Sequence, residues 1–88
     1  MIRLTHLDVT GTATGPKRPW DRMSMRTQTH VTARDSKDAV RVLEGSYGKR
    51  APGTLKTNRK TGHRECQFKR DYDGFTIYVH ASWFEDAL

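Results

Sequence analysis

Cysteine is nearly absent: Cys66 is the single one in 88 residues. No disulfide can form within the chain, which excludes small secreted folds built on a cystine framework. A reducing cytoplasm is the expected location, the host cytoplasm if the protein is viral. Long apolar runs are missing as well. No stretch approaches the roughly 20 apolar residues that cross a bilayer. Polar residues interrupt positions 1–8 too often for a signal sequence, and no cationic amphipathic helix offers itself to a lipid surface. A membrane is therefore not an expected partner. Neither a Gly-Lys-Ser phosphate loop nor a dinucleotide fingerprint occurs, so no cofactor is expected. With 34% hydrophobic residues, the chain has material for one thin core in one domain spanning residues 1–88.

What the sequence has in excess is positive charge. Sixteen Lys and Arg face ten Asp and Glu, a formal net charge of +6. The excess is concentrated. Residues 49–70 hold eight basic side chains and one acidic, whereas residues 71–88 hold four acidic and no Lys or Arg. A positive middle and a negative tail suit the attraction of phosphate. The same pattern would serve docking on an acidic protein or nucleoprotein, or would simply keep a loop solvated.

Local patterns predict an α+β domain in the order β-β-α-β-β-β, with a mostly antiparallel sheet and a short C-terminal helical turn. Strand one covers 2–10. Ile2 and Leu4 share one face while Leu7 and Val9 share the other, which a bulge near Thr5–His6 or packing on both sides would reconcile. A Gly/Pro arm follows at 11–22. Residues 23–32 alternate, with Met23, Met25, Thr27, Thr29 and Val31 on one face and Arg26, Gln28, His30 and Thr32 on the other. The helix spans 35–44, with Asp35 as its cap, Asp38 in its first turn and Gly45 as its terminator. Ala39, Val42 and Leu43 form its apolar stripe. Three strands follow near 54–58, 63–70 and 75–81, joined by turns at 58–62 and 71–74. Ser82 and Glu85 have the spacing of a capping box, which predicts the terminal helical turn. The expected core is the helix stripe over Leu55, Cys66, Phe68, Phe75, Ile77 and Val79, with Trp83 closing one end.

Two segments stand out as candidate nucleic-acid contacts. The first is the basic hairpin and its approaches, with Lys49, Arg50, Lys56, Arg59, Lys60, Arg64 and Lys69. Each cation gains coulombic energy near phosphate and releases a condensed counterion, and arginine adds a forked contact. A two-stranded hairpin also fits a major groove. The second segment is the arm, with Lys17, Arg18, Trp20 and Arg22. Its prolines reduce the entropy lost on ordering, its cations reach toward phosphate or a minor groove, and Trp20 offers a surface for a base. The simpler alternative folds Trp20 back over the core and turns the cations outward. Tyr78 and His80 lie on the polar face of the last strand, where aromatic side chains stack single-stranded bases. Only Tyr78 fits that pattern clearly, so duplex DNA or structured RNA is the favoured ligand at this level.

Metal and enzyme chemistry are weakly signalled. His63 and Cys66 have a ligand-like spacing, but on a strand they face opposite ways, so no metal is expected and Cys66 reads as a small buried residue. His63, Glu65, Tyr78, His80 and Arg64 could serve a ribonuclease, with His or Glu as base and Arg steadying the phosphate. A helix followed by Thr61-Gly62-His63 and a hairpin resembles small toxin ribonucleases of the double-stranded-RNA-binding fold over residues 35–81. That family places a serine between the glycine and its catalytic histidine, and this chain does not. The resemblance would assign a catalytic role to His63 alone.

The leading expectation is a small non-enzymatic nucleic-acid-binding protein, of the kind a phage or mobile element uses as a regulator, with DNA or RNA as partner. A protein-binding inhibitor or adaptor that docks its basic face on an acidic partner is the first alternative. A toxin-type ribonuclease using His63 is the second. The thin core also suits a homodimer, which would double the basic footprint and cover an edge strand.

Overall fold

The computed structural model describes residues 1–25 and 31–88. Two long strands organise it. β1 (Ile2–Thr14) and β7 (Phe75–Ala87) pair antiparallel from Ile2–Ala87 to Thr14–Thr76. β6 (Arg64–Tyr72) pairs with the other side of β7 through an Asp73-Gly74 turn, where Gly74 has a φ of 87°. Short strands complete the sheet. β2 (Arg22–Ser24) and β3 (Val31–Ala33) pair with β1, while β4 (Lys49–Arg50) and β5 (Lys56–Thr57) pair with β6. The order across the sheet is β2-β1-β7-β6-β4, and every pairing is antiparallel. Among the described residues there is one helix, α1 (Ser36–Tyr47), and it packs on one face. This is the mostly antiparallel α+β arrangement that the sequence predicts. No helix among the described residues is long and apolar enough to cross a membrane.

The expected bulge is present and sets the core. Between the pairs Thr5–Phe84 and Asp8–Ser82, β1 supplies His6 and Leu7 where β7 supplies only Trp83. The extra residue resets the alternation of β1, so Leu4 and Val9 both turn toward α1 and are buried. His6 accommodates the kink with a φ of 52°. The same side of the sheet supplies Cys66, Phe68, Val79, Ala81 and Trp83, and α1 supplies Ala39, Val40, Leu43 and Tyr47. Truncating such a fully buried side chain, Leu43 for instance, costs about 2–5 kcal/mol.

The helix begins where its acids predict. The Asp35 carboxylate accepts the Asp38 N–H, and the Asp38 carboxylate accepts the Arg34 N–H. That backbone bond and the Arg41 guanidinium hold the Asp38 carboxyl below its ordinary pKa. The helix ends later than expected. Gly45 stays helical with open space beside it, and Gly48, at φ 119°, ends the helix and returns its N–H to the Glu44 carbonyl.

Several other expectations need correction. The terminal helical turn does not form: Ser82–Ala87 continue β7, because residues 2–5 of β1 offer them a ladder of backbone partners. Gly11–Thr14 belong to β1 rather than to the arm, since β7 pairs them as well. Leu55 is 40% exposed and lies outside the core. The strand expected at 54–58 shrinks to two residues, which leaves Leu55 outside the ladder. Phe75 is half-buried and stacks on Tyr72 at 4.7 Å beyond the end of the core. Val42 is a flank of the helix stripe, and Val40 takes the buried position. Of the alternation expected over 23–32, the ends form β2 and β3, and residues 26–30 lie outside the described residues.

The two glycines give opposite expectations. Gly45→Ala should raise stability by about 0.5–1 kcal/mol, because it lowers the entropy of the unfolded chain at a helical position with room for a methyl group. Gly48→Ala should lower it by about 1–3 kcal/mol: its Cβ would stand 2.5 Å from the Lys69 carbonyl oxygen, on a backbone that L-residues rarely adopt. Denaturant titration checks both, and equal effects would contradict the assigned helix end.

Candidate nucleic-acid interface

Opposed residues in antiparallel strands share a face, so the registers sort the charged side chains without ambiguity. The even positions of β7 from Thr76 to Phe84 point away from α1, as do Glu65, Gln67 and Lys69 of β6 and Asp8, Thr10, Thr12 and Thr14 of β1. α1 covers the opposite side. Among the described residues the sheet therefore has one open, mostly polar face.

Four consecutive registers align one row straight across that face. Lys49 of β4 opposes Lys69 of β6, Lys69 opposes Tyr78 of β7, Tyr78 opposes Thr12 of β1, and Thr12 opposes Arg22 of β2. At the usual strand spacing the row is about 19 Å long. Tyr78 stands at its centre, 47% exposed. Lys69 Nζ lies 6.0 Å from the centroid of its ring and 3.8 Å from the Asp71 carboxylate. Beside the row is a shallow hollow of about 330 Å³, bordered by Thr10, Thr12, Arg22, Gln67, Tyr78 and His80. The His80 imidazole approaches Glu65 at 3.3 Å.

A second basic group lies at one end of the molecule. The loop 58–62 closes as its residues predict. The Asn58 side chain accepts the N–H groups of Lys60 and Thr61, and Gly62 has a φ of 77°. Lys56, Arg59 and Lys60 border a hollow of about 580 Å³ together with His63 and Glu65. Lys56 opposes Glu65 and so shares the open face. Next to this hollow, Phe84 lies between two imidazoles, with ring centroids 5.1 Å from His63 and 5.8 Å from His6.

Not all expected site residues join these groups. Arg64 turns to the helix side, where its Nε lies 2.9 Å from Glu85. That carboxylate also accepts from Ser36 Oγ and, at 3.0 Å, from Trp83 Nε1. With Glu85 only 9% exposed, this knot ties the start of α1 to β6 and β7, and Arg64 belongs to the scaffold. Arg50 also turns to the helix side, with its N–H bonded to Glu44. Within the arm, Arg18 pairs with Asp21, and Lys17 lies along Gly74 with its N–H on the Gly74 carbonyl. Trp20 is folded back against Gly11, whose missing Cβ would come within 3.0 Å of the indole. Of the arm, only Arg22 reaches the open face. The tip of the arm and the loop 58–62 lie at opposite ends of the sheet, about eight strand steps or 26 Å apart.

No family model, curated protein or solved structure matches this chain. The arrangement itself thus carries the functional argument. The open face carries cations, hydroxyl and amide groups, the carboxylates of Asp8, Glu65 and Asp71, and the exposed ring of Tyr78. Among the described residues, Arg22, Lys49, Lys56, Arg59 and Lys60 make no ion pair with a carboxylate, whereas Arg64 and Arg18 do. Among those residues no three His, Cys, Asp or Glu side chains gather as a metal would need. A helical reading of 82–88 makes Phe84 an anchor into the core or a partner and removes it from the open face of the sheet, where β7 places it. The alternation of β7, followed beyond Ala81, is the signal that would have found it.

Proposed function

We propose that this protein is a non-enzymatic nucleic-acid-binding domain that holds the phosphate backbone on the open face of its sheet and on the adjoining loop 58–62. The observation that carries this reading is the set of cations without carboxylate partners at Arg22, Lys49, Lys56, Arg59 and Lys60. Such cations keep their full charge for an incoming phosphate and release counterions when they meet it. The sequence's own candidates divide by face and by contact: Lys49, Lys56, Arg59, Lys60, Lys69 and Arg22 are the phosphate contacts, while Arg64 and Arg50 turn to the helix side and Lys17, Arg18 and Trp20 are held by contacts within the arm and its neighbours.

Binding should weaken steeply with salt in fluorescence anisotropy titrations against DNA and RNA oligonucleotides. Replacing Arg59 and Lys60 by glutamate should lower the affinity and reduce the log–log salt slope by about 2. Affinity that does not respond to salt, or no affinity for either nucleic acid, would contradict the proposal. A protein partner retained after nuclease treatment would instead favour docking on an acidic protein.

A ribonuclease reading draws on one arrangement, in which His63 and Glu65 border the cationic hollow and His80 pairs with Glu65. On that reading a base and a phosphate-steadying cation stand side by side. The non-enzymatic proposal expects no turnover of a fluorogenic RNA by the wild-type protein. Cleavage that disappears in folded His63→Ala would overturn it.

A further inference from the structure

The transverse row on the open face says more about the ligand than the cations alone. Lys49 and Lys69 are directly opposed in neighbouring strands. Like charges in that position destabilise a sheet, and the nearest acid, Asp71, stands 3.8 Å from Lys69. Asp71 offsets this repulsion on the Lys69 side only, and an anion lying across both lysines would relieve the remainder. A local conflict of this kind is what a binding site retains. Next to the two lysines stands Tyr78, flanked on its far side by Thr12 and then by Arg22. The row thus reads cation, cation, aromatic ring, hydroxyl, cation, all on one surface.

This geometry discriminates between nucleic-acid forms. A face five strands wide is too broad for the major groove, which admits a helix or a two-stranded ribbon. In a duplex the bases are stacked inside, beyond reach of a ring in the middle of a five-stranded sheet face. An unpaired base has a free π-face, and stacking on an exposed aromatic ring is the usual way a sheet holds it. Lys69 Nζ lies over one face of the Tyr78 ring, 6.0 Å from its centroid, so a base stacks there by displacing the ammonium, which then meets the adjoining phosphate. The hollow next to the ring supplies Thr10, Gln67 and His80, whose hydroxyl, amide and imidazole groups can hydrogen-bond a base edge.

We infer that the open face binds single-stranded nucleic acid, with one base stacked on Tyr78 and the backbone crossing the sheet along Lys49, Lys69 and Arg22. This rests on the nucleic-acid-binding reading above and reverses the preference for duplex that the sequence alone suggested. The row contains no group that depends on a 2′-hydroxyl, so DNA and RNA single strands are both ligands.

The test compares labelled oligothymidylate and oligouridylate with a duplex of equal length at one salt concentration. The single strands should bind more tightly. Tyr78→Thr, which keeps a strand-forming residue at an exposed position, should weaken single-strand binding roughly 5- to 150-fold and leave duplex binding nearly unchanged. Tyr78→Phe should retain the affinity, because it keeps the ring. Arg59→Glu with Lys60→Glu should weaken both forms. Equal affinity for single strands and duplex, or a Tyr78→Thr variant that binds single strands like the wild type, would overturn the inference while salt-dependent binding left the broader reading in place. Absence of salt-dependent binding to any of the three ligands would overturn both. Circular dichroism of each variant establishes that the sheet is intact.

Discussion

The pairing of β1 with β7 is the constraint on which the rest of this structure depends. Each strand is 13 residues long, and each lies in the middle of the sheet with partners on both sides. Their register decides which side chains meet α1 and which meet solvent. One extra residue at His6–Leu7 changes the parity of β1 partway along. Without it, Leu4 and Val9 would lie on opposite faces, and the apolar face under α1 would lose one of them. The bulge therefore makes one face apolar and the other polar along the full length of the sheet. The open platform is the complement of the core.

The sequence was informative wherever local chemistry and tertiary pairing agreed. Asp35 caps the helix in both accounts, Asn58 and Gly62 shape the hairpin loop, and of the two ways to reconcile Leu4 with Val9, a bulge or packing on both sides, the bulge forms. It misled where pairing overrode a local preference. Ser82 and Glu85 do have capping-box spacing, but Thr5, Leu4, Arg3 and Ile2 offer Phe84 to Ala87 strand partners. A continuous ladder outweighs one isolated turn of helix, which is costly to nucleate. Glu85 finds its role in the sheet instead, as acceptor for Ser36, Arg64 and Trp83. Gly45 reads as a terminator, yet Tyr47 prolongs the helix by burying its ring near Phe68. Lys49–Arg50 formed no expected strand because two charged residues carry no apolar alternation.

The candidate site was legible only as composition. The run from Lys49 to Lys69 announces a positive region, but strand parity divides it. Lys49, Lys56 and Lys69 go to the open face, while Arg50 and Arg64 go to the helix side. No periodicity within one segment could show that Lys49, Lys69, Tyr78, Thr12 and Arg22 share a row, since this requires four registers between elements far apart in sequence. For the arm the sequence offered recognition or a folded-back Trp20, and the indole takes the second course, covering Gly11. On the proposed reading the charges meet a polyanion, and their placement around the exposed ring of Tyr78 selects its unpaired form.

Backbone amide shift mapping by NMR with added oligothymidylate shows most directly where a single-stranded nucleic acid lies on the protein. The account expects the perturbed amides to cluster at Thr12, Arg22, Lys49, Lys69 and Tyr78, with those of Ala39, Val40 and Leu43 on the covered side unmoved. Perturbations centred on α1, with the five open-face amides silent, would contradict it.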